Sequence, residues 1–159
     1  MIRPATLFDL LNLWPLNVAL VGEESAMELN AGREPYASIS TDDADSWALH
    51  TAVAINNPLV SLLVSESRGS LDGFMLSSVN TRPFGEPRIY GEVHSFYVTP
   101  ASRKQNGGTV GGLLKAKTEE WFRSKEIKNI EIACVPANLK RWEAEGFHVT
   151  SYKLAKVLE

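Results

Sequence analysis

The sequence holds a single cysteine, Cys134, and that scarcity excludes an internal disulfide framework and any cysteine-rich zinc site. A reducing compartment fits. Lysine and arginine gather in no one segment and the formal net charge is −3, so the electrostatic footprint of a nucleic-acid binder is missing. No apolar run approaches the roughly 20 residues of a membrane span, and Met1-Ile2-Arg3-Pro4 does not open a signal-peptide pattern. The expected location is the cytoplasm, with neither nucleic acid nor membrane as partner. Internal repeats and low-complexity tracts are also lacking, so residues 1–159 are expected to form one domain around one core.

What is present is 44% hydrophobic and 22% charged, the mix of a globular chain. From Leu7 to Val21 apolar residues fall at helical spacing across Pro15, which predicts a bent or two-part helix. Gly22 to Ser40 is polar and reads as a connection. Thr41 reads as the N-cap of a second helix carrying Trp47, Ala48, Ala52 and Ile55, with acidic residues at its start. After Asn56-Asn57-Pro58 the period changes. Leu59 to Ser65, Leu71 to Val79 and Arg88 to Val98 read as three strands joined by tight turns, an antiparallel meander. A helix from Gly108 to about Lys125, a strand over Ile127 to Val135, a short helix from Asn138 stopped at Gly146, and a final strand or hairpin arm over Phe147 to Leu158 complete the order. With an initial strand, the expectation is a mixed α/β (α+β) fold, its sheet mostly antiparallel and flanked by helices.

The most informative stretch runs from Phe96-Tyr97-Val98-Thr99-Pro100 through Arg103-Lys104-Gln105-Asn106-Gly107-Gly108-Thr109-Val110-Gly111-Gly112 to Leu113-Leu114. A strand that ends in a Gly-rich turn opening a helix presents free backbone N–H groups and the positive end of the helix dipole. Such a cradle suits a pyrophosphate, with Arg103 and Lys104 adding charge at its mouth. The plain alternative is a turn whose glycines only let the helix pack close to the sheet. Two other phosphate motifs fail: Leu113 and Leu114 stand where a Walker A loop needs Lys and Ser/Thr, and G-x-G-x-x-G is absent.

These residues resemble the signature of the GNAT acyltransferase superfamily, an apolar strand ending V-x-P followed by [Q/R]-x-x-G-x-[G/A] and a helix. Val98-Thr99-Pro100 matches its first part. The second part matches in either of two registers, Gln105-x-x-Gly108 or Arg103-x-x-Asn106-x-Gly108. Downstream, Asn138-Leu139-Lys140-Arg141-Trp142-Glu143-Ala144-Glu145-Gly146-Phe147 is similar to the family's N-x-x-x-[F/Y]-Y-x-x-x-G-F ending. The resemblance implies a GNAT-like domain that takes acetyl-CoA as co-substrate, without metal, and acetylates a primary amine of a small molecule or peptide. It further implies that main chain around Phe96, Tyr97 and Val98 lies along the pantetheine. The pyrophosphate would fall to Arg103, Lys104, Gln105, Asn106, Gly107, Gly108, Thr109 and Val110, and Asn138 and Trp142 would belong to the same cofactor site. Trp142 stands where many members carry a tyrosine that protonates the departing thiolate, and an indole N–H does not give up a proton at useful pH.

Amine acylation also needs a base. Strict alternation places Glu92, His94, Phe96 and Val98 on one face of their strand and Val93, Ser95 and Tyr97 on the other. With pantetheine beside Phe96 and Val98, the catalytic candidates are Glu92 first and His94 second, a histidine's ordinary pKa lying near neutrality. Tyr97 also reads as packing under a helix, and Cys134 as a small buried hydrophobe rather than a nucleophile. Between Glu23 and Asp45 acidic residues outnumber basic ones, which reads either as a solvated face or as a wall favouring a cationic amine. The alternative to an enzyme is a non-catalytic acyl-CoA-binding sensor of the same fold, and a homodimer is compatible with either.

Overall fold

The structure is a computed structural model that describes residues 1–34, 43–85, 88–104 and 109–150. Strand β1 (Ile2–Pro4) leads through a 3-10 turn (Leu7–Asp9) into helix α1 (Leu10–Asn30), and α2 (Asp43–Ile55) follows. The meander is β2 (Val60–Ser67), β3 (Ser70–Thr81) and β4 (Ile89–Val98). Then come α3 (Pro100–Lys104), α4 (Thr109–Ser124), β5 (Ile130–Ile132), a 3-10 turn (Pro136–Asn138) and α5 (Leu139–Glu143). The five strands lie in sequence order in one sheet, with antiparallel neighbours except for the parallel pair β4 and β5. This is the mixed, mostly antiparallel sheet expected from the strand pattern.

Each face of the sheet carries its own core. On one face Leu13 and Leu16 of α1 meet Leu62, Val64, Phe74 and Tyr97. On the other, Leu114 and Phe122 of α4 meet Leu63, Met75, Val93 and Val98. Alternate residues of β2 thus supply opposite cores, as the two-residue period requires. Gly91 is glycine for a steric reason: a Cβ there would lie 2.5 Å from the Phe122 ring.

Three expectations need correction. The first helix is not broken at Pro15 and does not end near Val21; α1 runs through Pro15 to Asn30. An interior proline costs about 3 kcal/mol, and burying large apolar side chains stabilises by about 1.5–3 kcal/mol each. Leu13 and Leu16 are buried on either side of Pro15, so the core contacts outweigh the break. The segment Ala26-Met27-Glu28-Leu29 consists of strong helix formers, so its polarity marks a helix face rather than a connection.

The strand after α4 is only Ile130–Ile132, because Ile127 is used earlier. Its N–H closes the end of α4 onto the Phe122 carbonyl at 3.0 Å, and its side chain is buried in the α4 core. A strand was expected from Phe147, but residues 147–150 are irregular. The rest of that expected strand, like the Thr41 cap, lies outside the described residues.

The third correction concerns β4. Leu76 pairs with Ser95 while Ser77 pairs with Val93, so His94 is an extra residue, a β-bulge. The bulge reverses the strand's parity. Phe96 and Val98 therefore share the α4 face with Val93, and Tyr97 packs on the α1 face. Glu92 and His94 do not share a face with Phe96 and Val98, contrary to the strict alternation of the sequence.

Candidate active site

The parallel pair β4–β5 stops early. Gly91, Glu92 and Val93 pair with Ile130, Glu131 and Ile132, and beyond Val93 no described strand pairs with that side of β4. On its other side β4 stays paired with β3 as far as Val98. The Thr99 N–H bonds to the Asp72 carbonyl beside β3 at 2.9 Å. Backbone groups alternate in direction along a strand, so those of Phe96 and Val98 point to the open side. The result is a short strand edge whose main-chain donors and acceptors no described strand takes up.

Beside this edge Glu92 and His94 come together on the α1 face. Glu92 Oε1 lies 3.9 Å from His94 Nδ1. Its other oxygen, Oε2, accepts the Asn80 side-chain N–H at 2.6 Å. His94 Nε2 is 2.6 Å from the Ser78 hydroxyl. Ser78 is buried, while about a third of each of the Glu92 and His94 side chains reaches solvent. Ser78 and Asn80 were not singled out from sequence. The signal for them is a pair of polar residues at period two at the end of the strand, on the face that carries Glu92 of its neighbour.

Further along the same face, the Tyr97 ring is buried and its hydroxyl donates to Glu23 Oε1 of α1 at 3.1 Å. Arg103 of α3 donates to the other oxygen of that carboxylate at 2.7 Å and lies over the Tyr97 ring. Burial, and then the Glu23 bond, push the Tyr97 phenol above its ordinary value. Two acidic residues of this segment are thus paired within the chain. Glu23 serves Arg103, and Glu28 holds Arg33 at 2.5 Å, a bond that keeps the Glu28 carboxyl below its ordinary range. Glu24 is half-buried, and desolvation raises it.

The remaining candidates separate. Thr109 is the first residue of α4, and Val110 packs against the core under that helix. Gln105, Asn106, Gly107 and Gly108 lie outside the described residues, and Lys104 ends α3. Gly111 has a packing role: a Cβ there would lie 3.2 Å from the Phe96 ring. Asn138 ends the 3-10 turn. Trp142 is buried between Phe96 and Phe147, with ring centroids at 5.9 and 5.5 Å. It borders a cavity of about 40 Å3 under α4, together with Met75, Val93, Thr118 and Phe122. That volume holds little more than water, and the cavity lies on the face opposite His94. Burial, then Glu24, raises the Cys134 thiol, which leaves it a poor nucleophile. Among the described residues no group of three or more His, Cys, Asp or Glu side chains could hold a metal, and no helix is long and apolar enough to cross a membrane.

No protein-family model and no curated protein matches the sequence. Solved structures do. An aminoglycoside antibiotic 6'-N-acetyltransferase from Acinetobacter haemolyticus superposes with a TM-score of 0.74 at 16% identity, covering 100% of this chain and 98% of its own. A GCN5-related N-acetyltransferase from Ralstonia eutropha gives 0.71 at 17% identity, covering 99% and 97%. A predicted acetyltransferase with acetyl-CoA, from Clostridium acetobutylicum, gives 0.67 at 18% identity, covering 99% and 95%. The chain has the GNAT fold.

Proposed function

We propose that this GNAT-fold chain is an N-acetyltransferase that moves an acetyl group from acetyl-CoA directly to a primary amine of a small molecule or peptide. The observation that carries the reading is the open β4 edge beside the Glu92–His94 pair. Pantetheine is an amide-bearing arm, and an open strand edge binds such an arm as it would another strand, through main-chain hydrogen bonds at Phe96 and Val98. Arg103 and the N-terminus of α4 at Thr109 offer positive charge to the pyrophosphate. When bound, acetyl-CoA supplies the acetyl group already activated as a thioester. The chain's own contribution is to hold the acceptor and take its proton, and Glu92 and His94 are the groups placed to do so. With Glu23 and Glu28 already paired to arginines, Glu92 is the carboxylate left for a cationic amine on this face of β4.

One observation favours a second reading, an acyl-CoA sensor. The position at which many GNAT enzymes carry a proton-donating tyrosine holds Trp142, which is buried and aromatic-packed rather than free to donate. Calorimetry with acetyl-CoA and thiol release with a panel of amines separate the cases. Binding with amine-dependent thiol release supports the enzyme, and binding without release by any amine supports the sensor. No binding at millimolar acetyl-CoA overturns both.

A further inference from the structure

The Ser78–His94 contact is not needed to hold β3 and β4 together, because the ladder between them runs from Gly73–Val98 to Thr81–Ile89 without it. It has a chemical consequence instead. A histidine bonded to a hydroxyl through Nε2 is either donor or acceptor there, and the choice decides what Nδ1 can do. If Ser78 donated, the ring proton would sit on Nδ1 and point toward the Glu92 carboxylate. An N–H facing a carboxylate closes to about 2.7–2.9 Å. The observed gap to Oε1 is 3.9 Å, too long for such a bond, and only the other oxygen, Oε2, is hydrogen-bonded, to Asn80. The gap fits an Nδ1 that carries a lone pair rather than a proton.

We propose that Ser78 is a positioning residue of this site: its Oγ accepts the Nε2–H of His94 and leaves Nδ1, the nitrogen facing Glu92, as the proton acceptor. The proposal rests on the acetyltransferase reading and deepens it. A gap of 3.9 Å admits an amine nitrogen that contacts Glu92 Oε1 and His94 Nδ1 together, the carboxylate drawing the cationic form and the imidazole deprotonating it. In that step an amine N–H bond breaks, its electron pair stays on the amine nitrogen, and the proton forms the Nδ1–H bond. In the resulting imidazolium the Nε2–H keeps the Ser78 oxygen as its acceptor, and the Glu92 carboxylate, 3.9 Å from Nδ1, stands as its counter-charge. Glu92 is the charged group paired with His94 among the described residues, and the partly exposed ring returns the proton to water. Sequence reasoning ranks Glu92 as the base; this geometry gives the proton to His94 and makes Glu92 its counter-charge.

The test is the tautomer, which is read without any substrate. Nitrogen-15 imidazole spectra, with His94 assigned by comparison with His94→Gln, should show a protonated Nε2 and a bare Nδ1 in the neutral ring. In Ser78→Ala the ring should become a mixture of tautomers, and Ser78→Thr, which keeps the hydroxyl, should restore the single form. Turnover in Ser78→Ala should fall about tenfold with KM for acetyl-CoA unchanged. An Nδ1–H tautomer in the wild type, or a tautomer unaffected by Ser78→Ala, overturns the proposal. Absence of activity with every amine, with the tautomer as expected, would instead overturn the acetyltransferase reading.

Discussion

Glu23 of α1 holds the guanidinium of Arg103 at 2.7 Å, so the arginine proposed to meet pyrophosphate already has a partner within the chain. The carboxylate and the pyrophosphate compete for one cation. An exposed ion pair is worth about 0.2–1 kcal/mol, so Glu23→Gln should tighten CoA binding by up to about fivefold in calorimetry at low salt. The gain should shrink as salt screens the pair. Weaker binding in a folded Glu23→Gln protein would mean that Glu23 presents Arg103 to the ligand rather than withholding it.

Turnover should depend on Glu92 and His94 in different ways. Replacing His94 with Gln removes the proton acceptor, so kcat should fall about a hundredfold or more near neutrality. The deficit should narrow as pH rises and the free amine becomes abundant. Glu92→Gln keeps an oxygen for Asn80 but loses the charge, so its effect should fall more on KM for a cationic amine than on kcat. Equal loss in both variants at every pH would contradict this division of labour.

Near the N-terminus, Arg3 holds both Asp9 oxygens at 2.8 Å, and the Thr6 N–H and hydroxyl add further bonds to Oδ2. The Arg3 bond is the chief cause that lowers the Asp9 carboxyl to about 2, from an ordinary 3.8. An acid held low in the folded state takes up protons more readily when unfolded. Its stabilisation is therefore complete above about pH 4 and is lost as pH falls toward 2. The shift corresponds to about 2 kcal/mol. Urea melts from pH 6 to pH 2 should show a fall that is about 2 kcal/mol smaller in Asp9→Asn, and the variant should start lower.

Gly91→Ala should be costly although it adds only a methyl. The new Cβ would meet the Phe122 ring at 2.5 Å in a core where Phe122 is 1% exposed, and overpacking of this kind costs about 1–3 kcal/mol. The urea midpoint should drop with the slope unchanged. The combination with Phe122→Leu should recover part of the loss, which a purely backbone effect would not.

Trp142→Phe should leave kcat within about threefold, because the indole is a packing group rather than an acid, while removing about 1–2 kcal/mol of stability from the contacts with Phe96 and Phe147. A hundredfold loss of kcat with stability retained would return Trp142 to the catalytic machinery.

The period change after Pro58 and the helical run after Gly108 were enough to read the meander and α4 from sequence, because each pattern is sustained along its whole element. What escaped reading is non-local. The length of α1 depends on Leu13 and Leu16 meeting β2 and β3, and no local rule weighs that burial against Pro15. The face on which Phe96 lies depends on one extra residue opposite Leu76, which adds no turn former or proline to the strand. Glu92 and His94 were found as chemistry-bearing residues on a strand, whereas Ser78 and Asn80 acquire meaning only when β3 is laid beside β4 in register.

The bulge at His94 makes β4 a strand with a phase slip. Substitutions read along it should follow one odd–even rhythm up to Val93 and the opposite rhythm from Phe96, as though two half-strands had been spliced. Deleting that one residue would turn Phe96 and Val98 toward α1 and Tyr97 toward α4, exchanging what this half of β4 gives to the two cores. The catalytic candidate and the assignment of side chains to cores therefore share a single position in the chain, so a change that shortens the strand there forfeits both together.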